Sequence, residues 1–278
     1  MQAERPDPED IELEAFVRAL RERHGYDFSG YARASLKRRV LAHVHAAGHD
    51  SLSALTSRML RDDALIPQII AGLSVPVSDM FRNPGVFKLL REEVLPVLAS
   101  YPRINIWQAG CAFGEEVYSL AILLEEAGLY DRSQIYATDF NDVALARAQE
   151  GIFAAKDARS YSENYLAAGG QHSLSDYYHA RYERIKVNDS LKRNISFANH
   201  NLVADGVFCE AHLILCRNVL IYFTHALQNQ VLGLFRDSLV RGGFLCLGNR
   251  ESIEFAPAAS AFSTIHAGAR IFRLAAHG

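Results

Sequence analysis

From Pro84 onward short apolar runs alternate with helical patterns, and no other feature of the chain limits its fold so tightly. Ile104-Asn105-Ile106-Trp107 reads as a strand and Glu115 to Ala127 as a helix; Gln134 to Thr138 and Val143 to Gln149 repeat the pair. His212 to Leu215 is a further strand and Leu227 to Val240 a further helix. Gly242-Gly243 then turns the chain into Phe244 to Leu247, and Ala269 to Leu274 ends the series. Strands separated by helices pair in parallel, since a crossover is needed to return the chain to the same end of the sheet. The expected fold class is α/β, a parallel sheet with helices on both faces. Between Gly151 and Asn199 the rhythm fails: tyrosines and polar residues crowd the segment, with alternation from Tyr177 to Val187 and from Asn194 to Phe197. A structureless loop of that length is uncommon inside a domain. About residues 151–199 are therefore expected to form an inserted, partly β subdomain.

Ahead of Pro84 the pattern is helical from Ile11 to about Leu73, with no plausible strand. Phe16, Val17 and Leu20 recur at helix spacing until Gly25 to Gly30 breaks the run; Leu36, Val40, Leu41 and Val44 resume it and Gly48 closes it. Residues 75–84, VPVSDMFRNP, carry two prolines and read as a linker in which Ser78 or Asp79 could cap a helix. The expected division is a helical domain over 1–74, a linker and connecting helix over 75–98, and an α/β domain over 99–278. Positions 15–75 hold nine Arg or Lys against five Asp or Glu, a local balance of +4. Much of it lies in Arg33, Lys37, Arg38 and Arg39. Arg33 and Lys37 share a helix face that the apolar stripe leaves open, which suits either a solvated face or an acidic partner.

A formal charge of −3 and a pI near 6.4 argue against a nucleic-acid partner. Cys111, Cys209, Cys216 and Cys246 form no CxxC pair, and His43, His45 and His49 are too irregularly spaced for a helical metal face. Reduced thiols and no metal are expected. The acidic start and the lack of a long apolar run point to a cytoplasmic protein without membrane insertion.

The turn after the first strand, Gly110-Cys111-Ala112-Phe113-Gly114-Glu115-Glu116, feeds a helix N-terminus, where free N–H groups and the helix dipole await a ligand. The dinucleotide fingerprint and the P-loop are both absent. Two glutamates at the helix start would repel a pyrophosphate and welcome hydroxyls or a cationic amine. The second strand ends in Asp139, where nucleotide folds place an acid to accept from ribose hydroxyls. A ligand with a ribose, a positive centre and no phosphate fits, and S-adenosylmethionine is the obvious one.

The sequence resembles the CheR-type chemotaxis methyltransferases, which methylate glutamate side chains of chemoreceptors. The likeness rests on Lys37-Arg38-Arg39, SDMFR ending in Arg82, IWQAGCAFGEEVYS (Ile106 to Ser119), ATD (Ala137 to Asp139), HNL (His200 to Leu202) and LCRNVLIYF (Leu215 to Phe223). It implies a Rossmann-like class I methyltransferase domain with a small β-containing insert, preceded by an all-α N-terminal domain. It also places cofactor contacts on Ser78, Arg82, Glu116, Asp139, Asn201, Leu202, Arg217 and Asn218. Arg82 would meet the methionine carboxylate, Asp139 the ribose, and Glu116 the ribose or the amine; Asn201 and Leu202 would flank the adenine. Arg82, Arg217 and Tyr222 would carry catalysis, the last two orienting the acceptor. Two departures stand out: Pro76 where the family has an asparagine, and Ala112-Phe113 where it has a hydroxyl pair.

The implied reaction yields a methyl ester and S-adenosylhomocysteine. The implied partner is the acidic helical coiled coil of a chemoreceptor cytoplasmic domain, docked by Arg33, Lys37, Arg38 and Arg39 on a monomeric enzyme. Rival readings are a methyltransferase for another substrate and a non-catalytic adaptor that binds the cofactor.

Overall fold

The computed structural model describes residues 7–74 and 77–275, so Pro76 lies outside it. The chain divides into two units, one of residues 1–75 with Tyr222–Gln228 and the other of Pro76–Ile221 with Asn229–Gly278.

The first unit holds four helices, α1 (Pro8–His24), α2 (Arg33–Ala46), α3 (Leu52–Met59) and α4 (Ile66–Leu73). Asp7 caps α1 by accepting from Glu9 N–H, Pro8 stands in its first turn, and Gly25 ends it at φ 79°. Ser51 caps α3 in the same way, accepting from Ala54. Each helix buries one stripe, Leu13, Phe16 and Leu20 on α1 and Leu36, Val40 and Val44 on α2. Val17 and Leu41 are only half-buried at its flanks. The unit also takes in a strand-like piece from far along the chain. Tyr31 pairs with Phe223 in an antiparallel bridge, Ala32 N donates to Tyr222 O (2.8 Å) and Thr224 N to Gly30 O (2.8 Å).

The second unit opens with α5 (Pro84–Leu89), a π-helical turn (Leu90–Val94) and α6 (Leu95–Leu98). The wide turn has a cause in Pro96, which lacks an N–H and whose ring would collide with the carbonyl four residues back in a regular helix. No helix starts at Ser78 or Asp79. The remaining helices are α7 (Glu115–Glu126), α8 (Asp142–Glu150), α9 (Ala158–Ala167) and α10 (His225–Ser238), whose first turn belongs to the other unit.

The main sheet contains β1 (Ile104–Ala109), β2 (Ser133–Asp139), β6 (Ile195–Asn199), β7 (Ala211–Cys216), β8 (Leu239–Leu247), β9 (Phe262–His266) and β10 (Ile271–Leu274). Their order is β6-β2-β1-β7-β8-β10-β9, all parallel except β10. A second antiparallel sheet, β3 (Ile152–Ala154), β5 (Arg184–Val187) and β4 (Tyr178–Arg181), lies within the expected insert. This is a Rossmann-like α/β fold with a small β-containing insert beside an all-α unit.

Three readings need correction. Ile195–Asn199 joins the main sheet beside β2 rather than the insert, because its half-exposed alternation suits an edge strand of either sheet. Gly242-Gly243 does not turn the chain but sits inside β8, where the register against β7 slips between Ala211 and Leu213; Gly242 takes φ 76° there, as a bulge requires. The helix accordingly ends at Ser238, two residues before Val240. The topology reverses between β1 and β7, so the crevice at the C-terminal ends of these two strands is the natural ligand site.

Candidate active site

The turn leaving β1 is tied to the end of β2. Gly110 N and Cys111 N both donate to Thr138 O, at 2.8 and 2.9 Å. Ala112, held at φ 50°, donates its N–H to Asp139 Oδ2 (3.0 Å), and Asn141 N donates to Oδ1 (3.0 Å). A left-handed alanine costs on the order of 1 kcal/mol, which the bond to Asp139 offsets. Burial raises the Asp139 carboxyl above its ordinary range, while N–H groups of Ala112, Asn141 and Phe140 pull it back. Three N–H groups occupy three of the carboxylate's four lone pairs, which leaves one acceptor position for a ribose hydroxyl. Asn199 pairs with Asp139 across the strands and His200 N donates to Asp139 O (3.1 Å), so Asn201 and buried Leu202 follow directly at this end of the sheet.

Gly114 caps α7 at φ 92°, and the two glutamates after it end in different states. Glu116 is buried and fully engaged: Gln108 Nε2 donates to Oε1 (2.9 Å) and Arg217 Nη1 to Oε2 (2.5 Å). Arg217, buried at the end of β7, gives its Nη2 to Asn83 Oδ1 (2.8 Å). Its guanidinium lies over the Phe87 ring at 5.7 Å. Burial opposes the Arg217 charge, but neighbouring Glu116 more than restores it. Glu115 is equally buried, yet its Oε2 has no partner, and burial pushes its carboxyl up to about 7.

Phe113, which replaces a hydroxyl, has a structural use: the Arg147 guanidinium of α8 stacks over its ring at 4.3 Å. The linker is pinned to α7 where Phe81 N donates to Ser119 Oγ (2.8 Å), itself bonded to Glu115 O (2.7 Å). Ser78 is half-buried in this linker. The Arg82 side chain makes one bond, Nη1 to Val77 O at 3.3 Å, and no ion pair among the described residues. Asn218 stands at φ 63° just beyond Arg217.

The sheet end thus brings together Glu116, Arg217, Asp139, Asn201 and Leu202, with Asn218 next to Arg217. Tyr222 is placed differently. It belongs to the helical unit, with Arg39 over its ring at 4.9 Å, and its hydroxyl makes no hydrogen bond among the described residues. Gln108 and Asn83 were missed by sequence reading. A glutamine in an otherwise apolar buried strand was a usable signal for the first, and none marked the second.

The cations expected to form an open face are mostly answered from within. Lys37 Nζ meets Asp7 (2.7 Å), Asp10 (3.0 Å) and Glu9 (3.1 Å), bonds that raise its pKa, and Arg33 meets Glu14 (2.8 Å). Arg39 is half-buried and donates to Ser35 O (3.2 Å) and Leu73 O (2.8 Å). Arg38 is exposed and, among the described residues, has no ion pair or hydrogen bond. The excess positive charge counted from residue 15 disappears once the five acids of residues 7–14 are included.

Gln108 Oε1 and Arg217 Nε are buried without a partner, Arg82 has no ion pair among the described residues, and an acid stands at the end of β2. This donor set fits a ligand with a carboxylate, a ribose and a positive centre. Fold and site together define an S-adenosylmethionine-dependent methyltransferase. Residues 76–269 match the family described as CheR methyltransferase, SAM binding domain, and residues 11–74 match CheR methyltransferase, all-alpha domain. The chain belongs to the CheR methyltransferase family. It is 45% identical over 264 residues to a Pseudomonas putida protein named Cher3, covering 95% of this chain and 97% of that one. A chemotaxis protein methyltransferase of Listeria monocytogenes is 30% identical over 245 residues (86% and 88%), and one of Borreliella burgdorferi 26% over 257 residues (87% and 88%). All four cysteines are free, no described helix is long and apolar enough to cross a membrane, and no described cluster could hold a metal ion.

Proposed function

We propose that this chemotaxis-family methyltransferase esterifies glutamate side chains of chemoreceptors. The observation that carries the reading is similarity to a chemotaxis protein methyltransferase over 86% of this chain and 88% of that one, joined to a site in which Glu116 and Arg217 form a buried ion pair. When bound, S-adenosylmethionine supplies a methyl group whose bonding electrons stay with sulfur. Arg82 holds the methionine carboxylate in its guanidinium fork, Asp139 the ribose, and Asn201 with Leu202 the adenine. Glu116 and Arg217 hold one another in place beside the reacting centre, with Ser78 and Asn218 lining its edges.

The acceptor glutamate is an anion at neutral pH, with a reference pKa of about 4.3, so its oxygen attacks without a general base. Catalysis therefore rests on alignment and on exclusion of water. Tyr222, with its free hydroxyl, orients the acceptor. Arg38 leads the docking of an acidic receptor helix; Arg33, Lys37 and Arg39 contribute only as their present partners are exchanged.

The test is transfer of labelled methyl to cytoplasmic fragments of the organism's own chemoreceptors. Base-labile label on receptor glutamates is expected. Calorimetric binding of S-adenosylhomocysteine without label on any receptor would replace this reading with that of a cofactor-binding adaptor.

A further inference from the structure

Glu251 follows β8 in the loop Gly248-Asn249-Arg250-Glu251. In the structure its carboxylate is buried, with 4% of the residue exposed. Oε2 accepts from Gly248 N (2.5 Å) and Asn218 N (3.0 Å), and Oε1 accepts from Ile221 N (3.3 Å). Burial raises the carboxyl, whereas the N–H groups of Gly248, Asn218, Leu220 and Ile221 act against that. Glu251 makes no ion pair among the described residues, so a buried carboxylate is spent on backbone donors of one short loop.

Gly248 closes the other side. A Cβ there would stand 2.7 Å from Asn218 N and 2.7 Å from Glu251 Oε2. Asn218, at φ 63°, is the residue between them.

We propose that Glu251, seated by Gly248, is a positioning residue that fixes the loop Arg217–Ile221 for methyl transfer. An acceptor-only group is required, because every hydrogen bond it makes comes from a backbone N–H. A glutamine would turn an NH2 toward one of those donors and leave buried N–H groups unmet. Arg217 is anchored separately by Glu116 and Asn83, so the latch governs Asn218 and the residues after it. The turnover part of the argument rests on the receptor-glutamate reading above.

The test compares Glu251→Gln and Gly248→Ala with the parent. Hydrogen exchange of the 218–221 amides should rise about tenfold or more while α7 amides stay unchanged. Affinity for S-adenosylhomocysteine should fall only about threefold, the share of the one cofactor contact at Asn218, while kcat toward a receptor fragment falls about thirtyfold or more. Unchanged exchange at 218–221, faster exchange with unchanged kcat, or affinity lost in step with kcat would each overturn the proposal. Failure of both variants to fold would make the latch a folding element and overturn it too. If the parent methylates no receptor, the glutamate reading fails on its own, and exchange and binding still decide whether Glu251 fixes the loop.

Discussion

Glu115 and Glu116 are neighbours on one helix start, and what separates them is the face each presents. Glu116 finds Gln108 and Arg217, whereas Glu115 has a buried oxygen without a partner. Burial raises the Glu115 carboxyl to about 7 from an ordinary 4.5; its own backbone amide and Arg147 pull it down while Asp79 and Asp157 push it up. A folded pKa above the unfolded one means that the native state holds the proton more tightly. The stability so gained is fully present below about pH 4.5 and is lost as the pH rises through about 7. Glu115→Gln cannot ionise and should escape that loss. Relative to the parent it should gain up to about 3 kcal/mol between pH 4.5 and 8, read from denaturant unfolding at both values. A difference between the two proteins that stays constant with pH would show that Glu115 titrates normally.

At the scale of elements, the turn after β1 and the loop after β7 form the floor of the switch-point crevice, and they meet at Gly110. It adopts φ 71°, and a Cβ there would stand 2.5 Å from Val219 Cγ2. Gly110→Ala should therefore cost about 1–3 kcal/mol, from backbone strain and from overpacking. Adding Val219→Ala should recover only the overpacking share, which thermal melting of the single and double variants would resolve. No recovery would mean that the strain lies wholly in the backbone. The strands leading to this crevice were legible because β1 and β7 are buried on both faces and read as apolar runs. β9 was not, since four of its five residues are exposed and carry no apolar pattern. Asp139 and Glu116 could be found locally, each as an acid beside a strand end or a glycine turn. The pairing of Glu116 with Arg217 spans 101 residues and that of Arg217 with Asn83 spans 134, and no local pattern encodes either. Glu251 was hidden for a different reason: a polar loop looks solvated until its backbone donors are seen to converge.

For the whole molecule, the boundary near residue 75 separates the two family regions in sequence but does not mark the edge of the helical unit. That unit is completed by Tyr222–Gln228. Phe223 packs against Tyr31 with ring centroids 4.9 Å apart, and Tyr31 against Phe28 at 4.8 Å. Leu227 is buried over Gly30, where a Cβ would come within 2.7 Å of its Cδ2. Two main-chain bonds, Ala32 to Tyr222 and Thr224 to Gly30, complete the join. A fragment of residues 1–75 would forfeit the burial of Phe223 and Leu227, worth about 1.5–3 kcal/mol each, and two backbone bonds of about 1 kcal/mol. That sum rivals the total stability of a small domain. The fragment should therefore melt well below a version in which a flexible glycine-serine linker appends residues 221–229, with helicity followed by circular dichroism. Equal melting temperatures would show that the bundle stands without the segment, and the seam between the units would then lie at residue 75 after all.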